Sequence, residues 1–140
     1  MTEINCFRNK YFFLSNYFIS IVKYEDMYYS SNEAAFQSVK LLNKEDRYPF
    51  SCLTPHEAKK IGRTVLLRDD WEKIKNKVMY DIVKDKFTRN SLLKYKLLET
   101  GNAQLIEGNT WNDTYWGICH GKGLNVLGNI LMGIRNEFKE

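Results

Sequence analysis

Residues that favour β-strands dominate the first thirty positions of the chain. Apolar and aromatic runs occupy residues 11–14, 18–22 and 27–29, and a polar turn at residues 24–26 separates the last two runs. Aromatic and β-branched side chains fit the half-buried surface of a strand. The pattern therefore predicts a short antiparallel β-ribbon at the N-terminus.

The period of the apolar positions changes after this ribbon. Ala35 and Val39 stand at a helical spacing. Ser30 and Glu33 precede them with the spacing of a capping box, in which a serine and a glutamate three positions later bind each other's backbone amides. We expect the first helix over about residues 32–42.

A stronger helix start follows at Thr54, because Pro55 takes the first helical position and Glu57 completes a second capping box. Gly62 is placed to end this helix. A third helix is expected after Asp69 or Asp70, either of which can cap it.

The third helix begins its apolar stripe at Trp71, and Asn90 starts a fourth helix that ends at Gly101. The helical period is then lost between residues 105 and 123. Such a long loop in a compact domain is usually functional or mobile. The period returns in a last helix over about residues 125–138.

The elements together predict a mainly α, multihelical single domain over residues 1–140 with a short N-terminal β-ribbon. Apolar residues make up 44% and charged residues 27% of the chain, as in ordinary soluble domains. There is no signal-peptide pattern and no membrane-length apolar run, and the three cysteines are widely spaced. These features predict a cytoplasmic protein with no membrane segment and no obligate protein partner.

The formal net charge of +4 is spread along the chain. A positive balance is a modest indication of a phosphorylated or polyanionic ligand. Ordinary solvated helix faces explain a charge of this size equally well.

One stripe of the first predicted helix carries mixed chemistry. Glu33, Phe36, Gln37 and Lys40 stand at positions i, i+3, i+4 and i+7, so they share one helical face. Such a stripe suits a pocket wall. Two alternatives stay open, namely that Glu33 only completes the capping box and that Lys40 is a solvated surface amine.

The place of Glu33 in the first helical turn favours an ionised carboxylate, because the positive end of the helix dipole lies there. An ionised carboxylate stabilises positive charge better than it donates a proton. Cleavage of a ribosyl bond passes through an oxocarbenium-like state, which Glu33 is suited to stabilise.

The long loop holds a second candidate group. Trp111 and Trp116 flank Asp113. Indoles stack on planar bases, and a carboxylate accepts hydrogen bonds from ribose hydroxyls or orients a water molecule. The alternative is that Trp116 anchors the loop to the core while Asp113 caps a turn.

A third candidate group precedes the last helix. Free backbone amides around Gly121 and Gly123, together with Lys122, can hold a phosphate at a helix N-terminus. A Gly-x-Gly pattern alone is a weak signal. Trp71 also remains ambiguous, because a residue at its helical spacing is more often in the core than in a ligand platform.

Signatures of metal and triad chemistry are missing from the sequence. It has no HExxH, no paired-cysteine spacing and no G-x-S-x-G, and its two histidines, His56 and His120, are far apart. We expect no catalytic metal.

Nine short blocks resemble one family in their order and spacing, over nearly the whole chain. They are F-L-S-N at 13–16, S-x-E-x-x-F-Q-x-x-K at 31–40, E-A-K-x-x-G-R at 57–63, L-R-x-x-W at 67–71, K-F at 86–87, L-L-x-T-G at 97–101, D-x-x-W-G at 113–117, G-K-G-x-N-x-L-G at 121–128 and L-M-x-I-R at 131–135. On these blocks the chain resembles the NADAR (NAD and ADP-ribose) superfamily of YbiA-like N-glycosidases.

The resemblance implies a multihelical fold and hydrolysis of N-ribosidic bonds. It assigns the active-site acid to Glu33, the active-site tryptophan to Trp71 and a second acid to Asp113. Lys40 matches a family lysine that is either the amine forming a Schiff base with the sugar or a phosphate contact. The remaining substrate contacts that it implies are Asn16, Phe36, Gln37, Arg63, Trp116, Gly121, Lys122 and Gly123.

Two positions depart from the family pattern. Ala34 stands where many members have a histidine, and Cys119 occupies a loop position that is usually small or polar. Both departures leave the acids intact, but they concern possible substrate contacts, so the base specificity of the family is not carried over to this chain.

The leading hypothesis is therefore a cofactor-independent hydrolase. Its substrate is either a phosphoribosylated small molecule of the riboflavin pathway or ADP-ribosylated guanine in DNA or RNA, since both present a ribose, a phosphate and a planar base. The competing hypothesis is a catalytically inactive module that binds ADP-ribose or modified nucleic acid. Retention of Glu33, Asp113 and Lys40 argues against it, because binding alone does not need this set.

Overall fold

Helices prevail along the chain. The computed structural model describes residues 2–140, and over this range there are five α-helices and two 3₁₀ helices, whereas the longest strand has six residues. The predicted mainly α, multihelical fold class is confirmed. The structure divides into two compact units, one of residues 16–89 and the other of residues 2–15 and 90–140. The two units are described in turn.

The first unit begins with the predicted β-ribbon. Strand β2 (Ile19–Tyr24) pairs antiparallel with β3 (Met27–Ser31), and Val22 stands opposite Tyr29. Both side chains are buried, because residues that are directly paired across two strands point to the same face of the ribbon. The ribbon therefore offers one buried face to the rest of its unit.

Helix α1 (Asn32–Ser38) is the element around which this unit is built. All seven of its residues are buried. It contacts both strands, a 3₁₀ helix (Lys44–Cys52), α2 (Pro55–Gly62) and α3 (Trp71–Arg89). A helix buried on all sides holds its polar side chains within the protein, where each has a defined environment.

The predicted continuation of α1 to residue 42 is wrong. The ladder tightens to i, i+3 bonds at Val39 and Lys40, whose N–H groups donate to Phe36 and Gln37. Arg68 then takes the next acceptors, because its N–H binds the Lys40 carbonyl at 3.0 Å and its Nη1 binds the Val39 carbonyl at 3.3 Å. The helix ends where these tertiary partners replace helical ones.

The predicted starts of the next two helices are confirmed. Thr54 Oγ1 accepts from the Glu57 N–H at 3.1 Å, and the Thr54 N–H donates to Glu57 Oε1 at 2.9 Å, which completes the capping box of α2. Helix α3 begins at Trp71. The Asp70 carboxylate accepts from Arg68 Nε at 2.7 Å.

The second unit contains α4 (Ser91–Glu99) and α5 (Val126–Phe138). Asn90 Oδ1 accepts from the Leu93 N–H at 3.2 Å, so the predicted cap of α4 is confirmed. Gly101 adopts φ of 62°, a left-handed conformation that favours glycine just after a helix.

The predicted strand over residues 11–14 is wrong, because Asn9–Leu14 forms a 3₁₀ helix. The Tyr11 N–H donates to the Arg8 carbonyl at 2.9 Å. The 3₁₀ helix buries Phe13 and Leu14. These apolar side chains therefore reach the core from a 3₁₀ helix, although their residue types favour a strand.

The long loop contains one small strand pair, and a second pair joins the start of the loop to the N-terminal segment. Strand β1 (Glu3–Ile4) pairs parallel with β4 (Gln104–Leu105), and β5 (Gly108–Asn109) pairs parallel with β6 (Ile118–Cys119). Over residues 2–140, no helix has both the length and the apolar character needed to cross a bilayer.

Candidate active site

Ser31, and not Ser30, caps α1. Ser31 Oγ accepts from the Ala34 N–H at 3.1 Å, and Ser30 Oγ donates instead to the Leu53 carbonyl at 3.3 Å. A capping box between Ser30 and Glu33 requires Ser30 Oγ to accept from the Glu33 N–H, whereas the N–H that is capped is that of Ala34. The expected capping box is therefore wrong. The alternative in which Glu33 serves only as a capping partner does not hold.

The Glu33 carboxylate lies in a buried, polar environment. Glu33 is 8% exposed, and its Oε2 accepts a hydrogen bond from Gln37 Nε2 at 2.7 Å. The short distance is typical of a hydrogen bond to an ionised group. The place of Glu33 in the first turn of α1 adds the favourable end of the helix dipole.

Asn16 fixes the first turn of α1. Its carbonyl accepts from the Glu33 N–H at 3.0 Å, and its Oδ1 accepts from Asn32 Nδ2 at 3.3 Å. Its own Nδ2 points to the Met79 sulfur at 3.5 Å. These bonds use Asn16 to hold the helix that carries Glu33, while its expected contact with substrate stays a prediction.

Lys40 lies just beyond the end of α1, two residues after Ser38. Burial lowers the pKa of its ammonium, the Glu33 carboxylate opposes this shift, and the positive charges of Arg63 and Lys59 add to it. Lys40 Nζ donates to the Gly62 carbonyl at 3.4 Å. Lys40 is therefore a half-buried amine with charged neighbours rather than a fully solvated one.

Tyr17 and Lys59, which lie near Glu33 and Lys40, were missing from the expected site. Burial raises the pKa of Tyr17 to about 12, with a further rise from Glu33 and an opposing effect of Arg63. Tyr17 thus keeps its proton at neutral pH and can donate a hydrogen bond. Lys59 Nζ lies 5.9 Å from the centre of the Tyr17 ring. Sequence spacing gave no signal for either residue, because each approaches from a different element of the unit.

An aromatic pair adjoins the same helix. The ring centroids of Phe36 and Trp71 are 5.0 Å apart and their planes are inclined at 55°. Each residue is 5% exposed. Trp71 thus has the buried position that its helical spacing indicates, and stacking on a base stays a prediction.

Asp113 belongs to the other unit, where it organises a turn. Its Oδ1 accepts from the N–H groups of Tyr115 at 3.1 Å and Trp116 at 2.9 Å. Asn109 holds the backbone of Asp113 through two hydrogen bonds, at 2.9 and 3.0 Å. The turn-capping alternative is realised, and one carboxylate oxygen is occupied by it.

Trp116 also contributes to the start of α5. Its ring meets the Tyr115 ring edge-on, with centroids 4.9 Å apart. The carbonyls of Tyr115 and Trp116 accept from the N–H groups of Val126 and Leu127, at 3.1 and 3.0 Å. The N–H groups of Val126 and Leu127 are therefore occupied, and the phosphate contact expected before α5 stays a prediction for the residues of the preceding loop.

Residues 119–122 form a tight turn with hydrogen bonds in both directions between Cys119 and Lys122, at 2.8 and 3.0 Å. Gly121 takes φ of 77° and Gly123 takes φ of 150°. The Lys122 side chain is exposed. The Lys122 amine and the amides of Gly121 and Gly123 stay candidates for a phosphate contact.

The structure thus gathers most of the expected residues in one unit, 16–89. Direct contacts link Glu33 with Asn16 and Gln37, and Phe36 with Trp71. The expected residues that belong to the other unit are Asp113, Trp116, Gly121, Lys122 and Gly123. Within the described part of the chain, no group of three or more His, Cys, Asp or Glu side chains is arranged to hold a metal ion.

The chain matches one protein family along nearly its whole length. The NADAR domain family model matches residues 2–139. The chain belongs to the NADAR domain family.

Its relatives carry enzyme names. The chain is 33% identical over 132 residues to N-glycosidase Npun_R5314 of Nostoc punctiforme, a match that covers 89% of this chain and 84% of the relative. It is 35% identical over 127 residues to N-glycosidase YbiA of Escherichia coli, covering 88% of this chain and 79% of the relative. The NMR structure of E. coli YbiA superposes with a TM-score of 0.88 at 33% identity, over 99% of this chain and 85% of that one.

A plant relative matches part of the chain. The Riboflavin biosynthesis protein PYRR, chloroplastic, of Arabidopsis thaliana is 41% identical over 92 residues, which are 61% of this chain and 15% of the relative. The family and the two N-glycosidases confirm the expected class of enzyme. The chain is a hydrolase that acts on N-glycosyl bonds.

Proposed function

We propose that this chain hydrolyses the N-ribosidic bond between a phosphorylated ribose and a nitrogenous base. The observation that carries the proposal is the position of Glu33, a buried carboxylate in the first turn of α1 that takes no part in capping the helix. A carboxylate held in this way is ready to stabilise positive charge at the sugar.

The first step in the proposal is departure of the base. As the bond to C1 of the ribose lengthens, positive charge develops on the sugar ring. Glu33 faces this charge with a carboxylate that is oriented by Gln37 through a 2.7 Å hydrogen bond. Because the orientation exists before substrate binds, little reorganisation is needed in the transition state.

Lys40 supplies the amine that traps the sugar. An amine must be neutral to attack C1, and burial lowers the pKa of Lys40, with Arg63 and Lys59 adding to the shift. After the base has left, the Lys40 nitrogen bonds to C1 and gives up a proton. The bond between C1 and the ring oxygen then breaks, the ring oxygen takes up a proton, and a Schiff base forms. Water hydrolyses this imine, which releases the sugar and restores the amine. The alternative, a phosphate contact, keeps Lys40 charged and forms no covalent bond.

The aromatic pair of Phe36 and Trp71 is assigned to the base, whose flat face suits a ring surface. Arg63 is assigned to the phosphate, since it stands near Tyr17 and Lys40. In the other unit, Asp113 orients the sugar or a water molecule. The further phosphate contacts assigned there are Lys122 and the amides of Gly121 and Gly123.

Two substrate classes are compatible with these assignments. A phosphoribosylated aminopyrimidine is supported by the similarity to a plant protein named for riboflavin biosynthesis. ADP-ribosylated guanine in DNA or RNA offers the same ribose, phosphate and planar base. The net charge of +4 favours an anionic substrate of either kind.

The experiment that tests the proposal is incubation of the purified chain with each substrate class, followed by chromatography and mass spectrometry of the released sugar. We expect ribose phosphate from a phosphoribosylated aminopyrimidine or ADP-ribose from a modified guanine oligonucleotide. Unmodified oligonucleotide and heat-denatured protein are the controls. Binding of ADP-ribose or of the modified oligonucleotide without any release would instead establish the inactive module.

A further inference from the structure

We propose that Gln37 is a positioning residue for Glu33 rather than a contact for the substrate, and that Gly62 keeps the Gln37 amide in place. The inference rests on the proposed function, in which Glu33 acts on the sugar. It concerns three residues that the fold brings together from α1 and α2.

The amide nitrogen of Gln37 is committed to Glu33. The two residues are one helical turn apart on α1, and Gln37 Nε2 donates to Glu33 Oε2 at 2.7 Å. Glu33 is 8% and Gln37 is 6% exposed. With so little solvent nearby, this donor fixes the orientation of the carboxylate.

The amide oxygen of Gln37 is not used for binding within the protein. Oε1 is buried and has no hydrogen-bond partner among residues 2–140. A buried acceptor without a partner destabilises the fold. Rotating the amide would turn Oε1 toward the carboxylate, where two acceptors repel. The orientation is therefore dictated by Glu33, and the unpaired oxygen is its consequence.

Gly62 lies against this unpaired oxygen. A Cβ built at position 62 would overlap Gln37 Oε1 and would stand 2.7 Å from Gln37 Cδ. Such a contact is impossible without moving the side chain, and Gly62 has no left-handed backbone conformation that would explain a glycine otherwise. The glycine is needed for space, because the end of α2 closes over the Gln37 amide.

Both polar ends of Gln37 are thus turned toward protein groups. Nε2 faces Glu33 and Oε1 faces the α-carbon of Gly62. The Gln37 amide is therefore held between Glu33 on one side and the end of α2 on the other, in a buried position. The geometry assigns its effect to the transition state that Glu33 stabilises and not to ground-state binding.

The test is a double-mutant cycle on the substrate that proves active. Gln37→Met retains the side-chain length without a donor, and we expect kcat to fall by about 10- to 100-fold with KM changed by less than about twofold. Gly62→Ala should lower kcat in the same direction. In the Gln37→Ala background, Gly62→Ala should cost little more, because the group that it displaces is gone.

Matched controls separate these effects from general damage. Gln104→Met changes an exposed glutamine of β4, and Gly133→Ala adds a methyl where nothing lies within 4 Å. Both should retain wild-type kcat. Circular dichroism and Tm verify folding of every variant. If Gly62→Ala does not fold, kcat and KM of Gln37→Met decide alone.

Different failures have different meanings. A raised KM with unchanged kcat in Gln37→Met would overturn the positioning role and make Gln37 a substrate contact. Independent additive losses in the cycle would overturn the role of Gly62 in holding the Gln37 amide. If Glu33→Gln is severely impaired while Gln37→Met is fully active, only this inference fails. If Glu33→Gln itself is fully active, the proposed function fails first.

Discussion

The rings of Phe36 and Trp71 lie 5.0 Å apart, centroid to centroid, with their planes inclined at 55°. Phe36 stands on α1 between Glu33 and Gln37, and Trp71 is the first residue of α3. The contact joins the helix of the carboxylate to a second helix. Because both residues are buried, the two rings that are proposed to bind the base are held rigidly.

Trp71→Leu should therefore affect substrate binding as well as folding. We expect KM to rise by about tenfold, which is within the range of base–aromatic stacking, and kcat to change less. Tm should also fall, because a buried indole is lost. Steady-state kinetics below the melting range of the variant gives both constants.

Phe87→Leu is the control for this prediction. Phe87 is a fully buried aromatic residue of the same helix, so its replacement should lower Tm without raising KM. A Trp71→Leu variant with lowered Tm and unchanged KM would place Trp71 in the core alone.

Asp113→Asn distinguishes chemistry from turn formation. Asparagine retains the side-chain oxygen that accepts from Tyr115 and Trp116, so Tm should stay near that of the wild type. Loss of the negative charge should lower kcat by about 10²-fold. Asp113→Ala, which removes the acceptor, should lower Tm as well.

Full activity of Asp113→Asn, together with a destabilised Asp113→Ala, would contradict the proposed sugar or water contact. Asp113 would then be a turn-capping residue only.

Lys40 should be trapped by borohydride during turnover. Reduction of the Schiff base would leave the sugar covalently attached to Lys40, and peptide mass spectrometry locates the adduct. Since burial lowers the pKa of Lys40, trapping should increase with pH and level off below the range of an ordinary lysine. Lys40→Arg keeps the charge but cannot form the adduct, so wild-type kcat in that variant would make Lys40 a phosphate contact.

The stability of the chain should depend on pH through Lys86. Burial lowers the pKa of the Lys86 ammonium from 10.5 to about 7, and Lys86 is 1% exposed. Between these two values the unfolded chain binds a proton that the folded chain does not, so the free energy of unfolding rises with pH. Below the lower value both states are protonated, and the contribution is constant.

The comparison is urea denaturation of the wild type and Lys86→Met across pH 7 to 10. We expect the stability of the wild type relative to the variant to increase over this window. Groups present in both proteins, such as Tyr17 and Lys40, cancel in the difference. Parallel curves would show that Lys86 keeps an ordinary pKa.

Local signals explain which elements could be predicted. Thr54 and Asn90 cap their helices through bonds to residues three positions away, so a short window of sequence contains the whole interaction. The ends of elements depend on distant partners instead. Helix α1 ends because Arg68 binds the carbonyls of Val39 and Lys40, and no window around α1 contains Arg68.

The same distinction applies to the candidate site. The contact between Glu33 and Gln37 follows from their helical spacing. The approach of Tyr17 and Lys59 depends on how other elements pack, so spacing could not identify these neighbours. The choice of Ser31 over Ser30 as the cap depends on where β3 ends, a boundary that side-chain pattern leaves uncertain by a residue.

The most direct test of the proposed mechanism is kcat of Glu33→Gln, measured beside its Tm. Glutamine at this position retains an oxygen that can accept from Gln37, so the variant should fold with a Tm close to that of the wild type. Glu57→Gln, at a genuine capping box, is the control and should retain kcat. We predict that Glu33→Gln lowers kcat by roughly 10²–10³-fold, or about 3–4 kcal/mol of transition-state stabilisation. A well-folded Glu33→Gln that keeps more than about a third of wild-type kcat would lose less than about 1 kcal/mol and would remove Glu33 from the mechanism.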